Sequence, residues 1–224
     1  MPIRTSSVIT LSNAGTNNQV GNHNQLYNDT QMDRYTIQML ASLPGVRCYV
    51  DASTALDHPS QQPRLAGLGI FFVYTQVQPT QTIYIKAHMP ATQSVIMAEA
   101  AALALAALVN NRLGFNNAAF LSDCQQLVHF LNSADQANPP DWRIKPFQLR
   151  FSLPAAAPCQ AKIYKINWTL NTTVDSLAKH AILESCSNYE PVCSYSRHSH
   201  QCPLRDALIS ITLQGVTILA ASCY

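Results

Sequence analysis

Charged side chains are scarce in this sequence of 224 residues. Asp, Glu, Lys and Arg make up 12% of the chain, which is about half the share usual in soluble proteins. The formal net charge of +2 comes from 14 basic and 12 acidic residues, so it does not by itself indicate a nucleic-acid partner. Each individual charge is therefore more informative about function than in a more polar chain.

The sequence also lacks an uninterrupted apolar run of about 18 residues. Its first residues, MPIRTSSVITLSNAG, lack the apolar core of a secretory signal. We therefore expect no membrane partner and an intracellular location, nuclear or cytoplasmic. The sequence carries no signal for an oligomeric state.

No disulfide framework is evident either, because seven cysteines, an odd number at irregular spacing, are typical of reduced thiols. Cys193, His198, His200 and Cys202 have the residue types of zinc ligands. Their spacing is not one of the usual finger patterns, so we interpret them as loop residues rather than a zinc site.

Three segments differ in composition. Residues 1–40 are rich in Asn, Gln, Ser and Thr without a sustained hydrophobic period, so we interpret them as a flexible leader. Residues 41–186 contain the β-rich and helical patterns of a folded domain. Residues 187–224 are predicted to be a C-terminal extension with a short helix and a strand.

The domain opens with three β-rich runs separated by turns: VRCYV, AGLGIFFVY and TIYIKA. An Ala- and Leu-rich helix follows, and then two strands that each lead towards a helix, with a weaker helix in DWRIKPFQLRF. This order predicts an α/β fold with a mixed five-stranded sheet, three antiparallel strands then two parallel, and helices packed against it. We expect Ser122 or Asp123 to cap the helix after the fourth strand and Asn171 to cap the last helix.

Glu99 is out of place in the helical stretch AEAAALALAALVNNRLG. Helical spacing puts its carboxyl group beside Ala102 and Leu103, on the face predicted to be buried. A buried carboxylate without a partner costs several kcal/mol, so it has either a raised pKa or a bound cation.

Three further acids lie where acids are locally unfavourable. Asp51 ends the first strand, Asp123 ends the fourth, and Asp175 lies on an apolar stripe of the last helix. Two strand ends and two helices can bring these acids and Glu99 to one edge of the sheet, with Asp51 in the centre. An all-oxygen ligand set favours Mg²⁺ or Mn²⁺, and a pair of such ions is the usual clamp for displacement at phosphorus.

Five motifs, YVDAS, AEAAALALAA, LSDCQQLVHFLN, DWRIKPF and NTTVDSLAKHA, resemble a known family over about residues 46–185. They are similar to the type 1 ribonuclease H-like domain, in the version found in plant genes and plant non-LTR retroelements. The resemblance implies that Asp51, Glu99, Asp123 and Asp175 form a catalytic tetrad that binds two Mg²⁺ ions. It also implies endonucleolytic cleavage of the RNA strand of RNA/DNA hybrids, with Asn171 as the asparagine that precedes the last acid.

The sequence departs from that family at one point. Many members carry a mobile histidine in the loop before the final helix, but here this loop reads NWTL. We expect slower turnover and an intact metal site.

A basic stretch gives independent support for a nucleic-acid partner. From Trp142 to Val174 the chain has five basic residues and no acid: Arg143, Lys145, Arg150, Lys162 and Lys165. We expect Arg143, Lys145 and Lys165, together with Ser53 and Asn171, to contact nucleic acid. Trp142 and Trp168 are predicted to serve mainly in packing, with stacking on a sugar or base as the alternative.

Two other functions are compatible with the same residues. One is a non-catalytic, retroelement-derived module that binds nucleic acid or protein. The other retains the chemistry on a different substrate, because exonucleases and integrases share this fold.

Overall fold

The computed structural model describes residues 38–43, 45–54, 65–75, 80–90, 94–115, 117–133, 136–152, 162–183, 192–193 and 202–224. Its strands are β1 (Val46–Thr54), β2 (Leu65–Tyr74), β3 (Gln81–Pro90), β4 (Ala119–Ser122), β5 (Lys162–Lys165), β6 (Val192–Cys193) and β7 (Thr217–Cys223). Its helices are α1 (Val95–Arg112), α2 (Gln125–Asn132), α3 (Lys145–Ser152), α4 (Thr172–Leu183) and α5 (Pro203–Ile209). Most of the predicted leader, residues 1–37, lies outside the described residues, as do His198 and His200.

The strands form one mixed sheet in the order β5-β4-β1-β2-β3-β7-β6. β1, β2 and β3 are antiparallel neighbours, whereas β4 is parallel to β1 and β5 is parallel to β4. The predicted arrangement of three antiparallel strands followed by two parallel ones is confirmed. The predicted total of five strands is wrong, because β7 pairs antiparallel with β3 and β6 pairs with β7. Without β7, the backbone groups of β3 would be left unpaired at an edge.

α1 is the central core helix. Its Ala and Leu side chains are buried on nearly all sides, between the sheet and helices α2, α3 and α5. An all-round apolar helix is stable in water only when it is enclosed in this way. Among the described helices α1 alone is long and apolar enough to cross a membrane, with a mean hydropathy of 1.3, but 67% of it is buried inside the protein.

α4 covers the other face of the sheet. Ala66, Leu68 and Ile70 belong to the core around α1, so the alternating Gly67 and Gly69 face α4. A Cβ atom on either glycine would meet a backbone carbonyl of α4, at Ala178 and Val174 respectively. These two glycines therefore let α4 approach β2 more closely than any side chain would allow.

The predicted helix caps are only partly correct. The N-cap of α2 is Cys124, and its side chain makes no capping hydrogen bond. The Ser122 hydroxyl instead accepts a hydrogen bond from the backbone N–H of Cys124, at 3.0 Å. Asn171 does precede α4, but its side-chain amide donates to the carbonyl of Val50 rather than capping the helix. Ser122 therefore makes a local contact before the helix, and Asn171 makes a tertiary contact at the sheet edge.

The end of the predicted leader contacts the domain. Residues 38–42 form a helical turn, and Leu40 is buried against Leu121 and Ile166. The folded domain therefore starts a few residues earlier than the composition predicts.

Candidate metal centre

Three of the predicted acids converge at one edge of the sheet. One carboxylate oxygen each from Asp51, Glu99 and Asp123 lies within 4.8 Å of the other two. Asp51 and Glu99 are buried, with exposed fractions of 7% and 5%, and Asp123 is half-buried. We call these three residues the acid cluster.

The fold brings each acid of the cluster from a different element. Asp51 lies on β1 and Asp123 directly follows β4, and parallel neighbouring strands end at the same edge of a sheet. Glu99 lies in the second turn of α1, which starts shortly after β3. β3 runs in the same direction as β1, so it delivers α1 to that same edge.

Hydrogen bonds fix two of these carboxylates. The Asp51 Oδ1 atom accepts a bond of 2.9 Å from the backbone N–H of Ala52. The Asn171 Nδ2 atom donates to Asp123 Oδ1 at 3.2 Å and to the Val50 carbonyl at 3.1 Å. Asn171, which is 1% exposed, therefore ties the start of α4 to both β1 and the acid after β4.

The environment of the cluster disfavours negative charge. Burial and the nearby charge of Asp123 raise the pKa of Asp51 to about 7, against the opposing effect of the bond from Ala52. Burial, followed by the charges of Asp51 and Asp123, raises the pKa of Glu99 well above its usual range. Both carboxyl groups therefore hold their protons more tightly than ordinary carboxylic acids do.

One oxygen of Glu99 has no hydrogen-bond partner. Its Oε2 atom is buried and unpaired, although the great majority of buried polar atoms in proteins are hydrogen-bonded. The Oδ1 atom of Asn171, beside Asp123, is buried and unpaired as well. Hard oxygen donors that lack partners next to two further carboxylates fit a divalent cation such as Mg²⁺ or Mn²⁺.

The fourth predicted acid, Asp175, borders the cluster without joining it. Its carboxylate is half exposed and forms an ion pair of 2.7 Å with Lys179, four residues later on α4. Its charge still contributes to the raised pKa of Asp51, so it lies near the same edge of the sheet. The Lys179 ammonium thus neutralises the carboxylate that the sequence assigns to the metal site.

The predicted nucleic-acid contacts lie in different environments. Ser53 is two residues beyond Asp51 on β1 and is paired with Gly67, whereas Lys145 is exposed at the start of α3. The Arg143 Nε atom is bound to Asp141 at 2.9 Å, and Lys165 donates to the carbonyl of Ile166 at 2.6 Å. Asn171 is buried as described. A role for these residues in binding nucleic acid stays a prediction.

Sequence reasoning missed two charged partners. Asp141 neutralises Arg143, and it stands just before the basic stretch, outside the window in which acids are absent. Lys179 lies four residues after Asp175, which is the spacing of a helical ion pair. Both pairs can be recognised from the sequence once the helix boundaries are known.

No protein-family model and no curated protein matches this chain. Among solved structures, RNase H1 from the halophilic archaeon Halobacterium salinarum is 19% identical, and the match covers 62% of this chain and 98% of that one at a TM-score of 0.49. The N-terminal RNase H domain of a Mycobacterium tuberculosis protein is 18% identical over 61% and 94% of the two chains, at a TM-score of 0.46. The foamy virus (PFV) RNase H domain is 15% identical, and the match covers 64% of this chain and 98% of that one at a TM-score of 0.48. By its own strand order and helix placement, the described domain has the ribonuclease H-like fold that the sequence predicts.

Proposed function

We propose that this protein is a metal-dependent endonuclease that hydrolyses the RNA strand of RNA/DNA hybrids. The observation that carries the proposal is the acid cluster, in which the buried Glu99 keeps an unpaired oxygen beside Asp51 and Asp123. Three carboxylates at such a distance repel each other strongly unless protons or cations neutralise them. The sequence motifs favour the plant and non-LTR retroelement version of the domain, acting in the nucleus or cytoplasm.

Asp51, Glu99 and Asp123 would hold the metal, and Asp175 would join them for a second ion once Lys179 is displaced. A bound Mg²⁺ or Mn²⁺ ion would supply an activated water and stabilise charge on the oxygens of the scissile phosphate. In this hydrolysis the oxygen of a water molecule would bond to phosphorus, the bond from phosphorus to the 3′-oxygen would break, and a proton from the water would pass through solvent to the 3′-oxygen, which gives 5′-phosphate and 3′-hydroxyl ends.

The side chains of this protein perform the remaining tasks. Burial and the charges of Asp51 and Asp123 raise the pKa of Glu99, so a bound cation is needed to stabilise its ionised form. Asn171 keeps the Asp123 carboxylate oriented through its 3.2 Å hydrogen bond. Residues 166–171, before the last helix, contain no histidine, so proton transfer in this loop depends on water and turnover is slow.

The direct test is cleavage of an RNA/DNA hybrid labelled on either strand, with Mg²⁺, with Mn²⁺ and with EDTA. We expect RNA fragments only when metal is present, and no cleavage of duplex DNA, duplex RNA or single-stranded RNA. Asp123→Asn should abolish cleavage, whereas the matched control Asp206→Asn, at an exposed acid on α5, should not. Equal cleavage by both variants would refute the proposed site. Cleavage of DNA alone would favour the exonuclease or integrase alternative.

The ion pair between Asp175 and Lys179 favours a second candidate, a non-catalytic module that binds nucleic acid. The Lys179 ammonium already neutralises one carboxylate of the site, so less negative charge remains to attract a metal ion. This module would be supported over the nuclease if the protein bound RNA/DNA hybrids equally well with and without Mg²⁺ and cleaved them under neither condition.

A further inference from the structure

The two tryptophans of the chain are exposed. Trp142 and Trp168 have exposed fractions of 75% and 69%, although tryptophan is highly buried in most proteins. The prediction that they serve mainly in packing is not supported by this exposure. Two large apolar rings left in water call for a binding partner.

Trp142 is held at the end of α1 nearest to Glu99. It opens the 3₁₀ turn Trp142–Ile144, which is capped by a bond of 3.0 Å from the Arg143 backbone N–H to Asp141. Ile144 anchors the turn in the core with no exposed surface. The Asp141 side chain also bonds to Ser94, the N-cap of α1. The turn is therefore tied directly to the helix that carries Glu99.

The turn that carries Trp168 is linked to Asp123 through Asn171. Trp168 opens the 3₁₀ turn Trp168–Leu170, in which Asn167 Oδ1 accepts a bond of 3.1 Å from the Thr169 backbone N–H. The Trp168 carbonyl accepts a bond of 2.9 Å from the backbone N–H of Asn171. Since the side chain of Asn171 binds Asp123, one residue links this turn to the acid cluster.

Both turns lie at the edge of the sheet where the acid cluster lies. Trp168 follows β5, which is parallel to β4 and ends at this edge, and Trp142 adjoins the start of α1 there. The turn that carries Trp142 thus reaches this edge on the side of the helices, and the turn that carries Trp168 reaches it on the side of β5. Exposed Lys145 lies three residues after Trp142 in the chain, and half-buried Lys165 lies three residues before Trp168.

We propose that Trp142 and Trp168 stack on unpaired bases of a strand that leaves the duplex next to the acid cluster. Within a duplex each base is already stacked on its neighbours and offers only its edges in the grooves, so an indole face stacks well only on an unpaired base. Basic side chains for the phosphates and rings for the bases are the usual elements of single-strand binding. This inference rests on the proposed function and adds a preference for hybrids with a single-stranded extension.

The test measures binding of the full chain in EDTA, so that no strand is cut. Ligands are a blunt RNA/DNA hybrid, the same hybrid with a single-stranded extension on either strand, and the same extension without bases. Each base stacked on an aromatic ring improves affinity by a factor of roughly 5 to 150. We expect a gain in this range for the extension with bases and none for the abasic one. Because the chain has two tryptophans, quenching of their fluorescence should follow binding.

Variants separate the two rings from the rest of the surface. Trp142→Leu and Trp168→Leu should each reduce the gain in affinity from the extension by the amount expected for a lost stacking contact. The affinity of both variants for the blunt hybrid should stay within about twofold of the unmodified protein. Tyr224→Leu is the matched control, because Tyr224 is an exposed ring that pairs with Thr82 at the opposite edge of the sheet. Circular dichroism checks that each variant is folded.

The outcomes distinguish this inference from the proposed function. Equal affinity for blunt and extended hybrids, or a gain that both tryptophan variants retain, would overturn the inference while cleavage of the blunt hybrid still supports the nuclease. Absence of binding to any hybrid would overturn both.

Discussion

Asp51→Asn should stabilise the metal-free protein at neutral and higher pH. In the folded state the pKa of Asp51 is about 7, because of burial and the charge of Asp123, whereas in the unfolded chain it is near 4. The folded state therefore binds the Asp51 proton more tightly. As pH rises from about 4 to about 7, the unfolded chain gives up this proton first, and the free energy of unfolding falls.

The size of this effect follows from the two pKa values. Each unit of pKa difference corresponds to about 1.4 kcal/mol, so the full cost of ionising Asp51 in the folded protein is about 4 kcal/mol. The cost is about 1 kcal/mol at pH 5 and reaches nearly its full value at pH 8. Asparagine carries no charge and still offers an oxygen to the N–H of Ala52, so the variant avoids this cost.

The assay is urea unfolding of both proteins in EDTA at pH 5 and pH 8. The stability of Asp51→Asn relative to the unmodified protein should increase by about 3 kcal/mol between the two pH values. Asp206→Asn, at an exposed acid, should show no such change. Added Mg²⁺ should stabilise the unmodified protein by mass action and Asp51→Asn much less. If Asp51→Asn were less stable than the unmodified protein by the same amount at both pH values, the conclusion that burial and the charge of Asp123 disfavour ionised Asp51 would be refuted.

Lys179→Met should release Asp175 and tighten Mg²⁺ binding, measured by calorimetry, whereas Lys162→Met, at an exposed lysine on β5, should have little effect. Unchanged affinity would show that the ion pair does not compete with metal. Gly69→Ala should destabilise the fold by about 1–3 kcal/mol or more, because its Cβ atom would meet the Val174 carbonyl of α4; an unaffected urea midpoint would contradict the close approach. Leu40→Ala should cost about 2 kcal/mol through its contacts with buried Leu121 and Ile166, and an unchanged melting temperature would place residue 40 outside the core.

Local patterns in the sequence were sufficient for the central part of the site. An acid on an apolar helical stripe has few explanations, and Glu99 is indeed buried beside Asp51 and Asp123. The order of β1 to β5 was predictable for a similar reason, since strand patterns and helical connections restrict the topology. The partner of Asp175 could not be predicted, because whether its carboxylate binds a metal or Lys179 depends on side-chain geometry at the start of α4.

Features that depend on contacts between distant parts of the chain could not be predicted from the sequence. The run that forms β7 was recognised as strand-like, but its partner β3 lies far away in the chain and no local signal specifies the pairing. The role of Gly67 and Gly69 appears only when the path of α4 across β2 is known. The predicted cap at Asn171 is wrong because its side chain donates to the distant Val50 carbonyl, and the predicted cap at Ser122 is wrong because its hydroxyl binds the backbone N–H of Cys124 before the helix begins.

The pairing of β7 with β3 has a consequence for how this domain must be handled. The register joins Ile83 to Cys223, so closing the sheet requires a very long loop to form, which slows folding. Until then β3 presents a free edge to other chains. A fragment that ends near residue 186, where composition places the domain boundary, would keep the acid cluster but leave that edge permanently open. Such a fragment should associate through β3, so biochemical work on the acid cluster requires a chain that retains β7.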